Sequence, residues 1–401
     1  MNFPVFDLPW WGYVIVALSL SHITIISVTL YLHRHQAHRS IELNPVLCHF
    51  FRLWLWLNTG MITWQWVAIH RKHHAKVETE DDPHSPQVHG IKYFFKLMLP
   101  PALTGGVKLY REASQKTDDL QQYRHGTPND WIERYVYSVY PTVGIFILLF
   151  LDLGLFGVAG LFIWLTQIFW IPFWAAGVIN GIGHHNGYRN YETPDASRNI
   201  IPWGIVVGGE ELHNNHHAYA GSAKFSIRAF EFDIGWMYIK LLSCFKLAEV
   251  KKVAPKFQTT SVKELCDIET VKTLFSNRIQ VMANFTHDVL RQVCNEESSK
   301  LKPDKSNEFK ALKKAHLLMR KEWASMDDSA RKKLESILNK NQNLEFVYQM
   351  KLKLQEIIAA KHQANQNNAL NHLQEWCKKA EESGIAALED FSMNLKRYSI
   401  S

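Results

Sequence analysis

Nine histidines of this 401-residue chain stand in four short groups whose spacing suits metal binding. The groups are His33 with His38; His70, His73 and His74; His184 with the preceding Asn180; and His213, His216 and His217. In an α-helix, positions i, i+3 and i+4 share one face, one turn apart. Each His-x-x-His-His group therefore brings three imidazole rings into a small volume. Neutral imidazole is a common ligand of iron, copper, nickel and zinc.

The other two groups are less regular. Asn180 and His184 have the i, i+4 relation and would share a face. His33 and His38, five residues apart, would not, and we expect them to bracket a metal where the helix end frays. Nine histidines are too many for one ion, which rarely takes more than about six ligands. The count therefore predicts two metals with four or five histidines each.

The histidine groups follow long apolar segments. Trp10 to Leu32 is apolar and long enough to cross a bilayer as a helix. Tyr135 to Phe156 and Val158 to Ile179 are similar, and only Gly157 separates them, so they predict a transmembrane hairpin. Pro45 to Ile69 is Trp-rich but contains polar and charged residues such as Arg52, which are costly at mid-bilayer. We predict that this segment is an interfacial or re-entrant helix.

A shared metal site also requires all four groups to lie on one side of the membrane. They do so if 45–69 does not cross, which gives three spans with the N-terminus outside. The N-terminal ten residues and the Gly157 turn contain no Lys or Arg, so the positive-inside rule makes the histidine side cytoplasmic. The basic residues of that side include Arg34, Arg39, Arg71, Lys72, Lys76, Lys92, Lys96, Lys108 and Arg111.

Composition adds few constraints. The net charge of +7 suits an anionic membrane surface or an acidic substrate as readily as nucleic acid, and we predict no nucleic-acid partner. The five cysteines lie far apart with no Cys-x-x-Cys pair, which indicates a reducing compartment without a disulfide framework.

His22 is expected to be a hydrogen-bonded packing residue within the first span. Ordinary histidines are expected at His35, His49, His84, His89, His125 and His185.

The chain changes character near residue 250. We predict two domains, a membrane domain over 1–250 and a soluble helical extension of unknown role over 251–401. Apolar residues at helical spacing predict helices over 268–294, 308–324, 328–339, 344–363 and 368–379. The fold class is thus an all-α integral membrane protein with a cytoplasmic histidine-rich di-metal cap and a C-terminal helical extension.

The motifs HRHQAHRS (33–40), HRKHHAKVETEDDPHSP (70–86), NGIGHHNGYRN (180–190) and EELHNNHHA (210–218) resemble the histidine boxes of membrane-bound fatty acyl desaturases of the stearoyl-CoA type, over roughly residues 10 to 245. The closest pattern is that of bacterial Δ9 members. Compared with animal members, the first transmembrane hairpin is shortened to one span and a C-terminal extension is added. The resemblance implies that all nine histidines are metal ligands and that Asn180 approaches one metal through water. It also implies two Fe²⁺ ions and O₂ as co-substrate.

The implied reaction places a cis double bond, by resemblance Δ9, in a saturated C16–C18 acyl chain. The chain carries no HPGG haem motif, GxGxxG fingerprint or ferredoxin cysteine spacing, so electrons must come from an external carrier such as a ferredoxin with its reductase. The implied location is a bacterial inner membrane, as a multi-pass protein with a cytoplasmic active site. Acyl-CoA, acyl-ACP and phospholipid remain alternative acyl carriers.

Several alternatives stay open from the sequence. A fatty-acid or alkane hydroxylase would use the same scaffold, and a non-catalytic histidine-rich metal binder or transporter is a different class. Imidazoles alone would also accept zinc, and only the oxygen chemistry favours iron. Carboxylates could orient the rings through their other nitrogen. The candidates are Glu78, Glu80, Asp81, Asp82, Asp195, Glu210 and Glu211.

Overall fold

The computed structural model describes residues 4–90, 117–193, 195–255, 258–259, 261–300, 306–321, 323, 326–359 and 366–399. Lys92, Lys96, Lys108 and Arg111, which entered the topology argument, lie outside these ranges. The chain divides into an N-terminal unit, Met1–Asn190 with Asp195–Ala254, and a C-terminal unit, Tyr191–Pro194 with Pro255–Ser401. The predicted domain boundary at residue 250 lies close to this division.

The N-terminal unit is mostly helical. Its elements are α1 (Trp10–Ala37), β1 (Ile41–Leu43), α2 (Pro45–Thr59), α3 (Thr63–Lys76), α4 (Pro86–His89), α5 (Thr117–Gln121), α6 (Glu133–Tyr137), α7 (Pro141–Phe156), α8 (Val158–Ile182), β2 (Trp203–Gly204), α9 (His213–Ala218), β3 (Phe232–Asp233), α10 (Ile234–Cys244) and β4 (Ala248–Val250). Strand β1 pairs antiparallel with β4, and β2 pairs parallel with β3. The described chain is therefore mostly helical, as predicted, with a few short strands in addition.

Two helices of the described chain, α1 and α8, are long and apolar enough to cross a membrane, while α7 and α10 are apolar but shorter. Both long helices widen towards their C-terminal ends. Helix α1 becomes π-helical from Ser27 to Ala37, and α8 from Pro172 to Ile182. In α8 the change begins at a proline, which lacks the N–H that an α-helical hydrogen bond needs.

The predicted hairpin is present as α7 and α8, joined at Gly157 with a φ of +62°. It is shorter at its start than predicted, because Glu133–Tyr137 forms the separate α6. The amide of Gln167 donates to Asp152 Oδ2 at 2.9 Å across the hairpin, and both residues are buried. The one acidic residue of α7 is therefore satisfied by its neighbour helix.

The segment 45–69 is two helices, not the single helix predicted. Helix α2 begins at the Asn44 cap, whose side chain accepts from the Val46 N–H, and ends at Gly60 with a φ of +62°. A Cβ at Gly60 would lie 2.6 Å from the Pro141 carbonyl oxygen, so glycine is needed for this close approach. Arg52 is buried and forms an ion pair with Asp130, so its charge is compensated within the protein.

The C-terminal unit is a separate helical body with its own core. Its elements are β5 (Gln258–Thr259), α11 (Ile268–Ser276), α12 (Arg278–Asn284), α13 (Phe285–Leu290), α14 (Arg291–Ser299), α15 (Ser306–Lys313), α16 (His316–Met319), α17 (Asp328–Leu338), α18 (Gln342–Ala359), α19 (Gln366–Glu381), α20 (Ala386–Leu395) and β6 (Tyr398–Ser399). Phe285, Trp376 and Phe391 meet edge to face in the core. The predicted segment 268–294 is divided at Asn277, and α20 was not predicted.

Candidate metal centre

The nine predicted histidines converge into two adjoining groups in the N-terminal unit. The five-histidine group consists of His33, His38, His70, His74 and His216, and the four-histidine group of His73, His184, His213 and His217. Within each group, one ring nitrogen of every member lies within 4.8 Å of the others. The groups adjoin at the His74 and His217 rings, whose centroids are 4.5 Å apart.

The π-helical end of α1 explains how His33 and His38 come together. The His38 N–H donates to the His33 carbonyl oxygen at 3.0 Å, which is the five-residue hydrogen bond of a π-turn. The two rings then lie 4.7 Å apart between centroids. The helix end therefore widens in an ordered way, and our expectation that it frays was wrong.

Each of the two His-x-x-His-His motifs contributes to both histidine groups. On α3, His70 and His74 belong to the five-histidine group and His73 to the other. On α9, His216 belongs to the five-histidine group, and His213 and His217 to the other. In both motifs the residues at i and i+4 face one group, and the residue at i+3 faces the other. Residues three and four positions further along a helix lie on opposite sides of the first residue, so one helix could provide ligands to two metals.

The Nε2 atoms of facing rings are close. In the five-histidine group, His38 Nε2 lies 2.9 Å from His70 Nε2, and His216 Nε2 lies 3.0 Å from His74 Nε2. In the four-histidine group, His213 Nε2 lies 3.0 Å from His184 Nε2. Each group thus directs several nitrogen lone pairs at one small volume.

In four of these rings a carboxylate lies close to Nδ1, the ring nitrogen other than Nε2. His73 Nδ1 lies 2.9 Å from Asp82 Oδ1, and His217 Nδ1 lies 3.0 Å from Asp195 Oδ2. The remaining two contacts are His184 Nδ1 to Glu78 Oε1 at 3.3 Å and His33 Nδ1 to Glu210 Oε1 at 2.6 Å. A carboxylate hydrogen-bonded to Nδ1, as at His73, His184 and His217, keeps the proton there and leaves the Nε2 lone pair for a metal.

These four carboxylates come from the seven candidates named from the sequence. Of the other three, Glu80 and Asp81 are exposed. Glu211 instead accepts the backbone N–H groups of Val207 and Gly209, at 2.9 and 3.2 Å. It shapes the turn before α9 rather than a histidine ring.

The electrostatics favour a bound cation. Burial, together with the neighbouring imidazoles, holds the pKa of His70, His73, His74, His213 and His216 well below the usual value. These rings are therefore neutral at physiological pH. The buried Nε2 atoms of His73 and His217 have no hydrogen-bond partner in the described structure, and their Nδ1 protons face carboxylates. Divalent metals are the groups that such inward lone pairs fit.

Asn180 is buried on the π-helical end of α8, before His184. Its contact with a metal through water stays a prediction. Of the histidines expected to be ordinary, His49, His89, His125 and His185 are exposed, and His35 is partly buried beside the Ile41 carbonyl. His22 Nε2 lies 2.9 Å from the Tyr238 hydroxyl, as expected for a packing residue.

Two features were not foreseen from the sequence. His84 is buried and stacks on His73, with ring centroids 4.2 Å apart. Its ligand atom, with those of His73 and Asp82, forms a third set within 4.8 Å. The signal available was its place in the acidic stretch that follows the second histidine group.

The second feature is Glu231, a buried carboxylate behind α9. It accepts from the Tyr188 hydroxyl at 2.8 Å, from Asn190 Nδ2 at 2.6 Å and from Asn215 Nδ2 at 2.9 Å. The Ile227 and Arg228 N–H groups also donate to it, at 2.7 and 2.9 Å. Because Asn215 stands between His213 and His216, this network fixes the helix that carries three of the nine histidines.

Comparison with known proteins gives family matches for both parts of the chain. The sequence model of the fatty acid desaturase family matches residues 8–229, and a transposase model matches residues 278–400. A sn-1 stearoyl-lipid 9-desaturase of Anabaena variabilis is 31% identical over 62% of this chain and 87% of the relative. An acyl-CoA 5-desaturase of Anemone leveillei is 31% identical over 64% and 73%. A sn-1 stearoyl-lipid 9-desaturase of Synechocystis is 30% identical over 58% and 69%.

Proposed function

The chain belongs to the fatty acid desaturase family, and we propose that it is a membrane-bound di-iron enzyme that uses O₂ to place a cis Δ9 double bond in a saturated long-chain acyl group. Family membership makes it an oxidoreductase that acts on acyl lipid or acyl-CoA. The observation that carries the di-iron proposal is the pair of histidine groups, with four carboxylates behind their rings.

We propose that the five-histidine group holds one iron and the four-histidine group the other. The second group has one histidine fewer, so Asn180 could complete its set of ligands through a water molecule. Two irons bound there would supply the O₂ activation that breaking an unactivated C–H bond requires. In this proposal the chain's own residues fix the Nδ1–H tautomers, keep the rings neutral by burial and exclude bulk water.

The proposed reaction needs an electron source outside this chain. Two hydrogens leave neighbouring methylene carbons, and two further electrons and two protons complete the reduction of O₂ to two waters. We propose a ferredoxin or a similar carrier with its reductase as the donor of these two electrons.

We propose the Δ9 position from the relatives and the C16–C18 length from the resemblance of the histidine motifs. Two of the relatives above are named as 9-desaturases acting on stearoyl-lipid and one as an acyl-CoA 5-desaturase, at closely similar identities. Fatty acyl desaturation is common to all three. The stearoyl-lipid 9-desaturase of Anabaena variabilis, which this chain covers over 87% of its length, favours Δ9.

The membrane arrangement is proposed from the apolar helices. Large apolar side chains of α1, α7 and α8, such as Trp10, Phe150 and Val158, are exposed in the isolated chain. Exposed apolar surface of this kind suits lipid contact. We propose three spans, with the histidine groups on the cytoplasmic side of a bacterial inner membrane. The predicted domains, 1–250 for the membrane enzyme and 251–401 for a soluble extension, fit the different family matches of the two regions.

The test is the lipid profile of a desaturase-deficient host that expresses the chain together with a ferredoxin and its reductase. Fatty acid methyl esters would be separated by gas chromatography with double-bond location. We expect a new cis-Δ9 monoene that disappears with His216→Ala and persists with His185→Ala, because His185 is the exposed neighbour of His184. Hydroxylated acyl chains would show that the protein is a hydroxylase instead. An unchanged profile from folded, iron-loaded protein would contradict it.

A further inference from the structure

Two cysteines that are distant in sequence meet inside the C-terminal unit. Cys266 directly precedes Asp267, the N-cap of α11, and Cys377 lies on α19. Their Sγ atoms are 3.6 Å apart across a separation of 111 residues. Each cysteine is 2% exposed, and both are free thiols. This distance is that of two thiols in contact and not of a disulfide bond.

The backbone around both thiols is held in place. Helix α11 packs against α19, and the Gln374 side chain, one turn before Cys377, donates to the Cys266 carbonyl oxygen at 2.7 Å. A disulfide bond is about 2.0 Å long, so the sulfurs need to approach by only about 1.5 Å. Side-chain rotation with small backbone movement can supply that distance.

The contact couples the ionisation of the two thiols. Either sulfur can be the donor of the hydrogen bond between them, so each thiol can stabilise the thiolate of the other. Burial opposes the ionisation of both thiols, and the positive charge of Lys396 favours it for both. The thiolate is the form that attacks disulfides, so either cysteine of the pair can begin the reaction.

We propose that Cys266 and Cys377 form an oxidation site, which a low-molecular-weight disulfide such as oxidised glutathione converts into an intramolecular disulfide. When the unit opens locally, one of the two thiolates attacks one glutathione sulfur, forms a mixed disulfide and releases one glutathione thiolate. The other cysteine then loses its proton and attacks the protein sulfur of the mixed disulfide, which releases the second glutathione thiolate. The protein loses two electrons and two protons, and oxidised glutathione becomes two reduced glutathione molecules.

The bond would tie the segment before the first helix of the C-terminal unit to its second-last helix. A cross-link over 111 residues restricts the unfolded chain strongly, so oxidation raises the unfolding temperature of this unit. A reducing cytoplasm keeps the thiols free, and an oxidising shift closes the bond. The site does not depend on the proposed iron chemistry.

The experiment uses the full-length protein in detergent, with the exposed Cys244 replaced by serine to remove its competing thiol. The protein is equilibrated with glutathione buffers of increasing oxidised fraction, quenched with acid, and denatured for thiol counting and peptide mapping. Cys294→Ser is the matched control, because Cys294 is also buried in this unit and burial raises its pKa to about 12.

We expect the loss of two thiols, one peptide linked through Cys266 and Cys377, and a higher unfolding temperature for the oxidised protein. The Cys294→Ser control keeps this behaviour, and Cys266→Ser and Cys377→Ser abolish it. Peptide mapping of the Cys244→Ser protein decides the matter even if a further variant folds poorly. Thiols that stay free in oxidised glutathione, glutathione adducts without a cross-link, or a cross-link at other cysteines would overturn the proposal.

Discussion

His73 Nδ1 lies 2.9 Å from Asp82 Oδ1 in a buried contact, while His73 Nε2 has no hydrogen-bond partner in the described structure. The other oxygen of Asp82 accepts the Glu78 N–H at 2.7 Å, so the carboxylate is itself oriented. The loop 78–84 thus orients the His73 ring through a carboxylate, and its Glu78 also contacts His184.

Replacing this carboxylate should weaken metal binding without removing a ligand. We predict that Asp82→Asn lowers metal affinity or activity about 10- to 100-fold, because the amide orients the His73 ring less firmly and adds no negative charge. Asp81→Asn is the matched control, since Asp81 is exposed and its carboxylate lies 3.7 Å from Lys76 Nζ rather than beside a histidine ring of the described structure. Metal titration of the two purified variants measures the effect. Equal affinities would show that Asp82 has no orienting role.

Metal uptake should release protons and become weaker at low pH. Burial raises the pKa of Asp82 to about 6 and that of Glu210 to about 7 in the metal-free protein. Below these values both carboxyls are protonated, whereas a bound dication favours their charged forms. Affinity for Zn²⁺, used as a redox-inert probe, should therefore rise as pH increases from 5 to 8. Calorimetry in buffers of different ionisation enthalpy measures the released protons, and a pH-independent affinity would contradict the expectation.

Glu231 should be needed for the stability of the helix that carries His213, His216 and His217. Glu231→Ala leaves buried donors, including Asn215 Nδ2, without their acceptor, at about 1–3 kcal/mol each. We predict a fall in the unfolding temperature of roughly 5 °C or more, together with lower iron occupancy. Glu249→Ala is the control, because the Glu249 side chain is 69% exposed and forms a surface ion pair with Lys251. Similar unfolding temperatures for the two variants would refute the predicted role.

The exposed apolar face of α7 should contact lipid. Phe150 is 69% exposed, and an arginine at mid-span costs about 3 kcal/mol for insertion. We predict that Phe150→Arg reduces the protein recovered in carbonate-washed membranes. Phe346→Arg, at a partly exposed position of α18 in the C-terminal unit, should have little effect. If the face met water instead, Phe150→Arg would leave the membrane fraction unchanged.

Local spacing predicted much of the site but not its geometry. The nine histidines that converge in the structure could be named, because they stand in short groups that are visible in the sequence. The π-turn that joins His33 and His38 could not be predicted, since it depends on a hydrogen bond between residues five apart that no residue type indicates. The choice of Glu78, Asp82, Asp195 and Glu210 among seven carboxylates likewise depends on contacts across distant segments.

The fold shows the same division between local and non-local information. The Gly157 turn was predicted, because glycine between two apolar runs is a strong local signal. The break at Gly60 was missed, because it depends on the approach of the Pro141 carbonyl from another helix. The role of Glu231 could not be predicted from the sequence, since its hydrogen-bond donors come from residues 188–190, 215 and 227–228.

The most direct test of the two-metal site is the number of iron atoms per chain in the purified protein, measured by elemental analysis beside Mössbauer spectroscopy. The arrangement of five and four histidines predicts two irons per chain in inequivalent nitrogen environments. His73→Ala should lower the content to about one, and His185→Ala should leave it unchanged. A wild-type protein that holds a single metal, or zinc in both positions after reconstitution with Fe²⁺, would contradict the account.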